Sequence, residues 1–348
     1  MHPFFIQESI NYKRLGMNTR HFSQLPKAAL AYPKVVQGLI FKKPKGPKIL
    51  PQVEYVVDTL EIDQNHLKAY NEVCGFQNNG FVPAIYLAVL SQSLQMHMMT
   101  AEAFPFPILG LVHIRNQIKQ TRPIGVTEKL TLSCKFGELK PHDKGVQFDF
   151  ITTAKVGNEV VMEGLTTYLS RQKVEKRVGE KAKEEQAPAY VPKAEWNILE
   201  NTGRRYAKVS GDFNLIHIHA ITAKAFGFKQ AIAHGMWSKA KALANLELPN
   251  AYEADVWFKL PMFLPSKVEF LTAPEDDALQ LTIEAESERS AAPSVNTENH
   301  AIQPNTYQQI NRAMTKQPSD QNALVSFALS SCPDEIFKAN WATTRDYF

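Results

Sequence analysis

The chain has 348 residues, too many for one typical domain and comfortable for two, and its 44% apolar content can fill two cores. Cys74, Cys134 and Cys332 are odd in number, far apart and in no ligand-like spacing. That excludes a disulfide framework and a cysteine zinc site, and fits free thiols in a reducing cytoplasm. The formal charge of +4 is uneven: residues 1–50 carry nine Lys and Arg against the single acid Glu8, a balance of +8 that leaves −4 for the rest.

In chain order, residues 1–50 form a basic arm. It suits an acidic carrier protein, a coenzyme A phosphate or an anionic surface, or is simply a solvated lead segment. Its densest part, FKKPKGPK from Phe41 to Lys48, is broken by Pro and Gly and has no interleaved aromatics, which argues against nucleic acid as a partner. The start, MHPFFIQESINYKR, lacks the basic-then-apolar order of a secretory signal, and no apolar run reaches the roughly 18 residues of a membrane span. A cytoplasmic protein with no membrane span is expected.

Residues 51–171 open on Tyr70-Asn-Glu-Val-Cys-Gly75 and continue with an apolar helical stretch, Val82 to Met99. Four runs with period-two alternation and many β-branched residues follow: LGLVHIRNQI, EKLTLSCKF, VQFDFITTAKV and EVVMEGLTTYLSR. Residues 172–192 are dense in charge and then in Pro and Ala, the composition of a linker. Residues 193–348 repeat the plan. Tyr206-Ala-Lys-Val-Ser-Gly211 echoes the first Tyr motif, a helical stretch runs from Ala233 to Glu247, and the strand-like runs are DVWFKLPMF, KVEFLTA, LQLTIEAES and ALVSFALSS. A polar stretch, residues 287–321, interrupts them and is expected to be a surface insertion loop. A long helix followed by an antiparallel meander is the element order of a hotdog fold. The expectation is therefore α+β, a double hotdog of two such units. Met96, Met98, Met99, Phe104 and Phe106 offer apolar surface that either lines an acyl tunnel or is core.

The chemistry concentrates in SGDFNLIH, Ser210 to His217, and AHGM, Ala233 to Met236. On an α-helix, positions five apart point about 140° away from each other, so Asp212 and His217 could not share a small molecule there. Gly211 and Asn214 argue for a loop, where a carboxylate and an imidazole converge as general acid/base chemistry requires.

The run from Gly203 to Met236 resembles the signature of the MaoC-like dehydratases, the (R)-specific enoyl-thioester hydratases. That pattern is roughly Y-A-x-x-S-G-D-x-N-P-[IL]-H, a short helix ending at Gly-Phe, then [IV]-x-H-G-M. It is matched at Tyr206, Ala207, Ser210, Gly211, Asp212, Asn214, Ile216, His217, Gly227, Phe228, Ile232, His234, Gly235 and Met236. Leu215 stands where the family usually has Pro, and His219 where Asp or Asn is common.

The resemblance implies reversible syn hydration of a trans-2-enoyl thioester of coenzyme A or acyl carrier protein to the (R)-3-hydroxyacyl thioester, with no cofactor and no metal. It assigns Asp212 and His217 to the catalytic water and its protons. The backbone N–H of Gly235, at the start of the central helix, becomes the donor to the thioester oxygen. Asn214 and Ser210 support the loop, and His234 either orients it or touches substrate. Arg204 and Arg205 grip coenzyme A phosphates or form a solvated pair. The first half has no Asp and His pair and no His-Gly-Met, so one catalytic site per chain is expected, with a homodimer of double-hotdog chains as one possible assembly. Two other readings stay open: a non-catalytic acyl-thioester-binding module, and a metal site built on His217, His219 and His234.

Overall fold

The computed structural model describes residues 18–28, 48–172, 190–275, 278–285 and 325–331. Residues 173–189 of the expected linker, and the whole of the expected insertion 287–321, lie outside the described residues. The first half contains strand β1 (Asn18–Phe22), β2 (Val53–Leu60), helix α1 (Gln64–Cys74), helix α2 (Ala84–Met99) and strands β3 (Leu111–Gln120), β4 (Leu130–His142), β5 (Gly145–Val156) and β6 (Glu159–Arg171). The second contains β7 (Val191–Ile198), α3 (Thr202–Ser210), a 3₁₀ turn (Leu215–His217) and the short α4 (Ala220–Lys224). It continues with α5 (Gly235–Ala244), β8 (Tyr252–Phe258), β9 (Ser266–Glu275), β10 (Ala278–Ala285) and β11 (Val325–Ser331).

The eleven strands among the described residues form one sheet in the order β1-β2-β4-β5-β6-β3-β8-β11-β10-β9-β7. Outward from the central β3–β8 pair, the two arms follow the same rule. In each, the strand after the central helix lies at the centre, the last strand of the half comes next, and the strand before the first helix lies beyond the others, with β1 added outside β2 in the first arm. The small connections match as well: the Val82 N–H donates to Ile124 O at 2.8 Å in the first half, and the Ala233 N–H to Met262 O at 2.7 Å in the second. The chain is thus two hotdog units joined edge to edge through β3 and β8, antiparallel from Arg115 opposite Trp257 to Gln120 opposite Tyr252. Arg115 reinforces the joint with a bidentate pair to Asp255 at 2.9 and 2.7 Å, and Gln117 donates to Glu253.

Two short helices, α1 and α3, precede the central helices and pack on each other, and α1 also packs on α5. Both stop at a left-handed glycine, Gly75 with φ 94° and Gly211 with φ 75°, where any other residue would be strained. In α1 the Asp63 carboxylate caps the start by accepting from the Asn65 and His66 N–H groups. Helix α2 buries every residue from Ala84 to Val89 and lies on β3, β4 and β5. None of its residues is exposed, so it is enclosed rather than a surface helix.

Phe104 and Phe106 are fully buried. They belong to an aromatic cluster in which Phe106 stacks on Phe148 at 5.4 Å and Phe104 on Phe136 at 5.7 Å. These rings, with the buried Met98 and Met99, are core and not tunnel lining, because face and edge contacts with other rings already occupy their surfaces. Five residues of the basic arm, Asn18–Phe22, form the edge strand β1, parallel to β2. No helix among the described residues is long and apolar enough to cross a membrane.

Candidate active site

The site begins where α3 ends. Past Gly211 the chain makes two consecutive polar turns: the Asn214 N–H donates to Asp212 Oδ1 at 3.1 Å, and the Ile216 N–H to Asn214 Oδ1 at 3.5 Å. The Asp212 N–H in turn donates to Ser210 Oγ at 3.2 Å. Asp and Asn side chains of this length naturally close such turns, and the effect is to aim the rest of the Asp212 carboxylate away from the backbone. Ser210 and Asn214 therefore act on loop geometry. Arg204 does the same from α3: its Nη1 donates to Ile218 O at 3.1 Å.

The Leu215–His217 turn carries His217 back over α3. Ile232 ties it to the AHGM segment twice, because the Ile232 N–H donates to Ile216 O at 3.1 Å and the His217 Nδ1–H donates to Ile232 O at 2.8 Å. A carbonyl only accepts, so the proton sits on Nδ1 and Nε2 carries a lone pair. His234 is similarly fixed, its Nε2–H donating to Asp212 O at 3.0 Å. The His217 and His234 rings are stacked, with centroids 3.7 Å apart and planes 27° apart, and His234 also packs on the buried Tyr206 at 5.0 Å.

Asp212, His217 and His234 thus converge: one polar atom of each lies within 4.8 Å of the others. Asp212 keeps about a third of its side chain exposed, at 33%, whereas His234 is 3% exposed, which makes the carboxylate reachable and His234 a supporting wall. Burial lowers the His217 pKa, against Asp212 and the Ile232 carbonyl, and pushes that of His234 down to about 3, helped by His217. Burial acts to raise the Asp212 pKa. His234, His217, the Asn214 N–H and His113 together outweigh it and hold the carboxylate below its ordinary value. At neutral pH the pair is therefore Asp212 carboxylate and neutral imidazole, two proton acceptors side by side.

The two rings lie nearly face to face, each with one nitrogen on a carbonyl, so the other nitrogen of each and the Asp212 carboxylate are the donors that an ion could use here. His219 does not join the cluster, since its Nδ1 accepts from the Ile221 N–H at 3.1 Å and caps α4 from an exposed position.

Gly235 is the first residue of α5, whose cap residue His234 makes no side-chain cap bond. The first helical bonds inside α5 are those from the Trp237 and Ser238 N–H groups to His234 O. The Gly235 and Met236 N–H groups thus point out of the helix start, with the positive end of its dipole. A Cβ on Gly235 would lie 2.6 to 2.9 Å from the Phe258 ring. Glycine is required there for close packing.

Sequence reasoning passed over four residues around this site. Phe258 covers Gly235, and His113, from the first half, packs edge-on against Phe258 at 4.9 Å. Gly203 lies under His217, and Lys239 is fully buried behind Gly235. Only Gly203 had a local signal, a glycine near the start of a helix. Arg205 lines a small cavity of about 200 Å³ with Lys241, Trp237 and Glu72, a lining that includes none of Asp212, His217 and Gly235.

Comparison with known proteins follows the same residues. The family model of the MaoC like domain matches residues 180–272, which contain Asp212, His217, His234 and Gly235. The chain is 35% identical over 237 residues to 3-hydroxyacyl-thioester dehydratase X of Mycobacterium tuberculosis, covering 67% of this chain and 85% of that protein. Among solved structures it resembles HtdX of Mycobacterium tuberculosis, with a TM-score of 0.62 and 29% identity, covering 80% of this chain and 100% of that one. A MaoC-like dehydratase from Phytophthora capsici shares the fold, with a TM-score of 0.57 and 18% identity over 82% of this chain and 97% of that one. Convergent geometry, the ordered motif and this degree of identity have one conclusion: the chain belongs to the MaoC-like dehydratase family.

Proposed function

We propose that this chain is a hydro-lyase that adds water reversibly across trans-2-enoyl thioesters, giving (R)-3-hydroxyacyl thioesters. The observation that carries the reading is the convergence of the Asp212 carboxylate and the His217 imidazole, whose proton is held on Nδ1 by Ile232 O so that Nε2 is the nitrogen free to accept. A water held between Asp212 and His217 Nε2 attacks C3 and gives up a proton to the pair. The same proton is delivered to C2 on the same face, so one water supplies both new bonds, C3–OH and C2–H. As negative charge moves onto the thioester oxygen, the Gly235 N–H and the dipole of α5 stabilise it. In dehydration the steps reverse. The pair acts as a unit, so neither member alone is the base. The relative 3-hydroxyacyl-thioester dehydratase X supports this substrate class, and the +8 charge of residues 1–50 favours an acidic carrier protein or coenzyme A. Hydration of crotonyl-CoA, followed by loss of enoyl absorbance and chiral analysis of the product, tests the proposal. An (S) product or no reaction on either carrier would reject it.

The pH profile has a definite sign. Neutral His217 and ionised Asp212 are both required, and both groups titrate below their ordinary values. The plateau of kcat/KM, which reports the free enzyme, should extend below pH 6.5, falling only as the pH drops through the lowered His217 pKa. An acid limb centred at or above pH 6.5 would contradict the buried, neutral imidazole.

We further propose one site per chain, in residues 193–348, with residues 51–171 a degenerate hotdog. Where Asp212 follows Gly211 in the second half, Phe76 follows Gly75 in the first. The matched Val82 and Ala233 bonds place Pro83 and Ala84 where the second half has His234 and Gly235. Titration with a tight-binding product analogue should saturate at one equivalent, and two equivalents would refute the assignment.

A further inference from the structure

Lys239 has no solvent-accessible surface, a situation lysine tolerates only when all its hydrogen bonds are made. Its ammonium makes three, to Asn116 O at 2.8 Å, Asn116 Oδ1 at 2.7 Å and Ala254 O at 2.9 Å, which uses every donor it has. Asn116 lies on β3 and Ala254 on β8, so the ammonium grips both sides of the joint between the two hotdogs. The neighbouring carboxylates are engaged elsewhere, Asp255 by Arg115 and Glu253 by Gln117, and the charge rests on carbonyl oxygens alone. Burial accordingly pushes the Lys239 pKa down to about 7.

A methionine would fill the same volume without that cost. What the ammonium adds is a fixed distance between α5 and the sheet. Lys239 is four residues after Gly235 and so lies on the same helix face, one turn along. Trp237, in the first turn, donates from Nε1 to Val73 O at 3.2 Å, near the end of α1. The start of α5 is therefore tied to the first half at two points, β3 and α1, although Asp212, His217 and Gly235 all belong to the second.

We propose that Lys239 is a positioning residue: by anchoring α5 to Asn116 of the non-catalytic half, it holds the Gly235 N–H at its working distance from Asp212 and His217. The proposal rests on the reading of Gly235 as the oxyanion donor. On it, the first hotdog takes part in the reaction without touching the substrate, through the depth at which it holds the second hotdog's helix.

The test compares Lys239→Met, which keeps the stem and removes the ammonium, with Asn116→Ala, the double variant and Asp212→Asn, all assayed for hydration of crotonyl-CoA and for thermal unfolding. Lys239→Met should lose at least about tenfold in kcat with KM within about twofold, the split expected when an interaction matters only in the transition state. Its Tm should be unchanged or higher, and the double variant should be no slower than Lys239→Met, because the bond that Asn116→Ala removes is one of the three that Lys239→Met already removes. A folded Lys239→Met with wild-type kcat, beside an inactive Asp212→Asn, would overturn the positioning role and leave the site assignment standing. An active Asp212→Asn would overturn the site assignment and this proposal with it. If Lys239→Met does not fold, Asn116→Ala decides: it removes the Oδ1 bond and leaves those to Asn116 O and Ala254 O, so a partial kcat loss at constant KM supports the role, and wild-type kcat rejects it.

Discussion

Asp212→Asn and His217→Ala should each lower turnover by at least about a hundredfold while the protein stays folded, within the range of about 10² to 10⁴ that positioned acid/base groups contribute. The two substitutions act differently. Asparagine retains an oxygen to accept the Asn214 N–H, so the turn survives and only the charge and proton affinity are lost. Alanine at 217 removes the Nδ1–H bond to Ile232 O and the stack on His234, at a stability cost of about 1 kcal/mol for the bond. On the proposed mechanism the pair acts on one water, so the effects should not add: the double variant should be little slower than the worse single one. Steady-state kinetics on enoyl-CoA, with circular dichroism to establish folding, decides the matter. Near-wild-type hydration by either folded variant would remove the pair from the mechanism.

Gly203→Ala should be nearly as damaging, although Gly203 touches no substrate. Inside a helix, alanine ordinarily gains about 1 kcal/mol over glycine. Here its Cβ would overlap the His217 carbonyl oxygen, stand 3.0 Å from the carbonyl carbon and meet Leu264 Cδ1 at 3.4 Å. The obstacle is backbone, and it cannot swing aside. The His217 N–H donates to Asn214 O, the His217 ring is bonded to Ile232 O, and Arg204 holds the next carbonyl, Ile218 O. Either α3 lifts or the His217 turn is displaced. A net loss of about 1–3 kcal/mol is expected, the usual cost of overpacking, together with at least a tenfold fall in kcat/KM as the imidazole moves from Asp212. Thermal unfolding and kinetics on the same sample test both halves of this statement. An active, stable Gly203→Ala would mean that the 3₁₀ turn is looser than its hydrogen bonds imply.

The candidate site could be read from the chain because its residues lie close in sequence. Asp212, His217, His234 and Gly235 fall within 24 residues, and local turn chemistry at Gly211, Asp212 and Asn214 brings them together. The repeated Tyr motif announced the duplicated architecture for a similar reason, since both copies end a helix at a left-handed glycine. The supporting residues were not readable. His113 and Asn116 reach the site only through the pairing of β3 with β8, a register set by tertiary packing across more than a hundred residues. Lys239 sits in an amphipathic-looking run, WSKAKALA, where a lysine ordinarily faces water. Helices α1 and α3 are short and polar on average, and each buries only a narrow stripe, Leu67, Tyr70 and Cys74 in one and Tyr206, Ala207 and Val209 in the other. Their signals were the Asp63 cap and the two stopping glycines. Strand β1 is an exposed five-residue segment whose partner no local pattern could name.

The position of β11 bears on how the protein is made. In the first half every strand from β2 to β6 has left the ribosome by residue 171, so that hotdog can close while the rest is still being synthesised. In the second half β8, β9 and β10 are complete by residue 285, yet the strand that belongs between β8 and β10 is residues 325–331. Until it emerges, β8 and β10 each present a bare edge and the sheet behind Asp212 and His217 is split. Those edges are the surfaces through which unfinished β proteins pair with the wrong partner. A nascent chain halted between 286 and 324 should therefore hold a folded first half and an aggregation-prone second one, with catalysis arriving only when β11 is inserted.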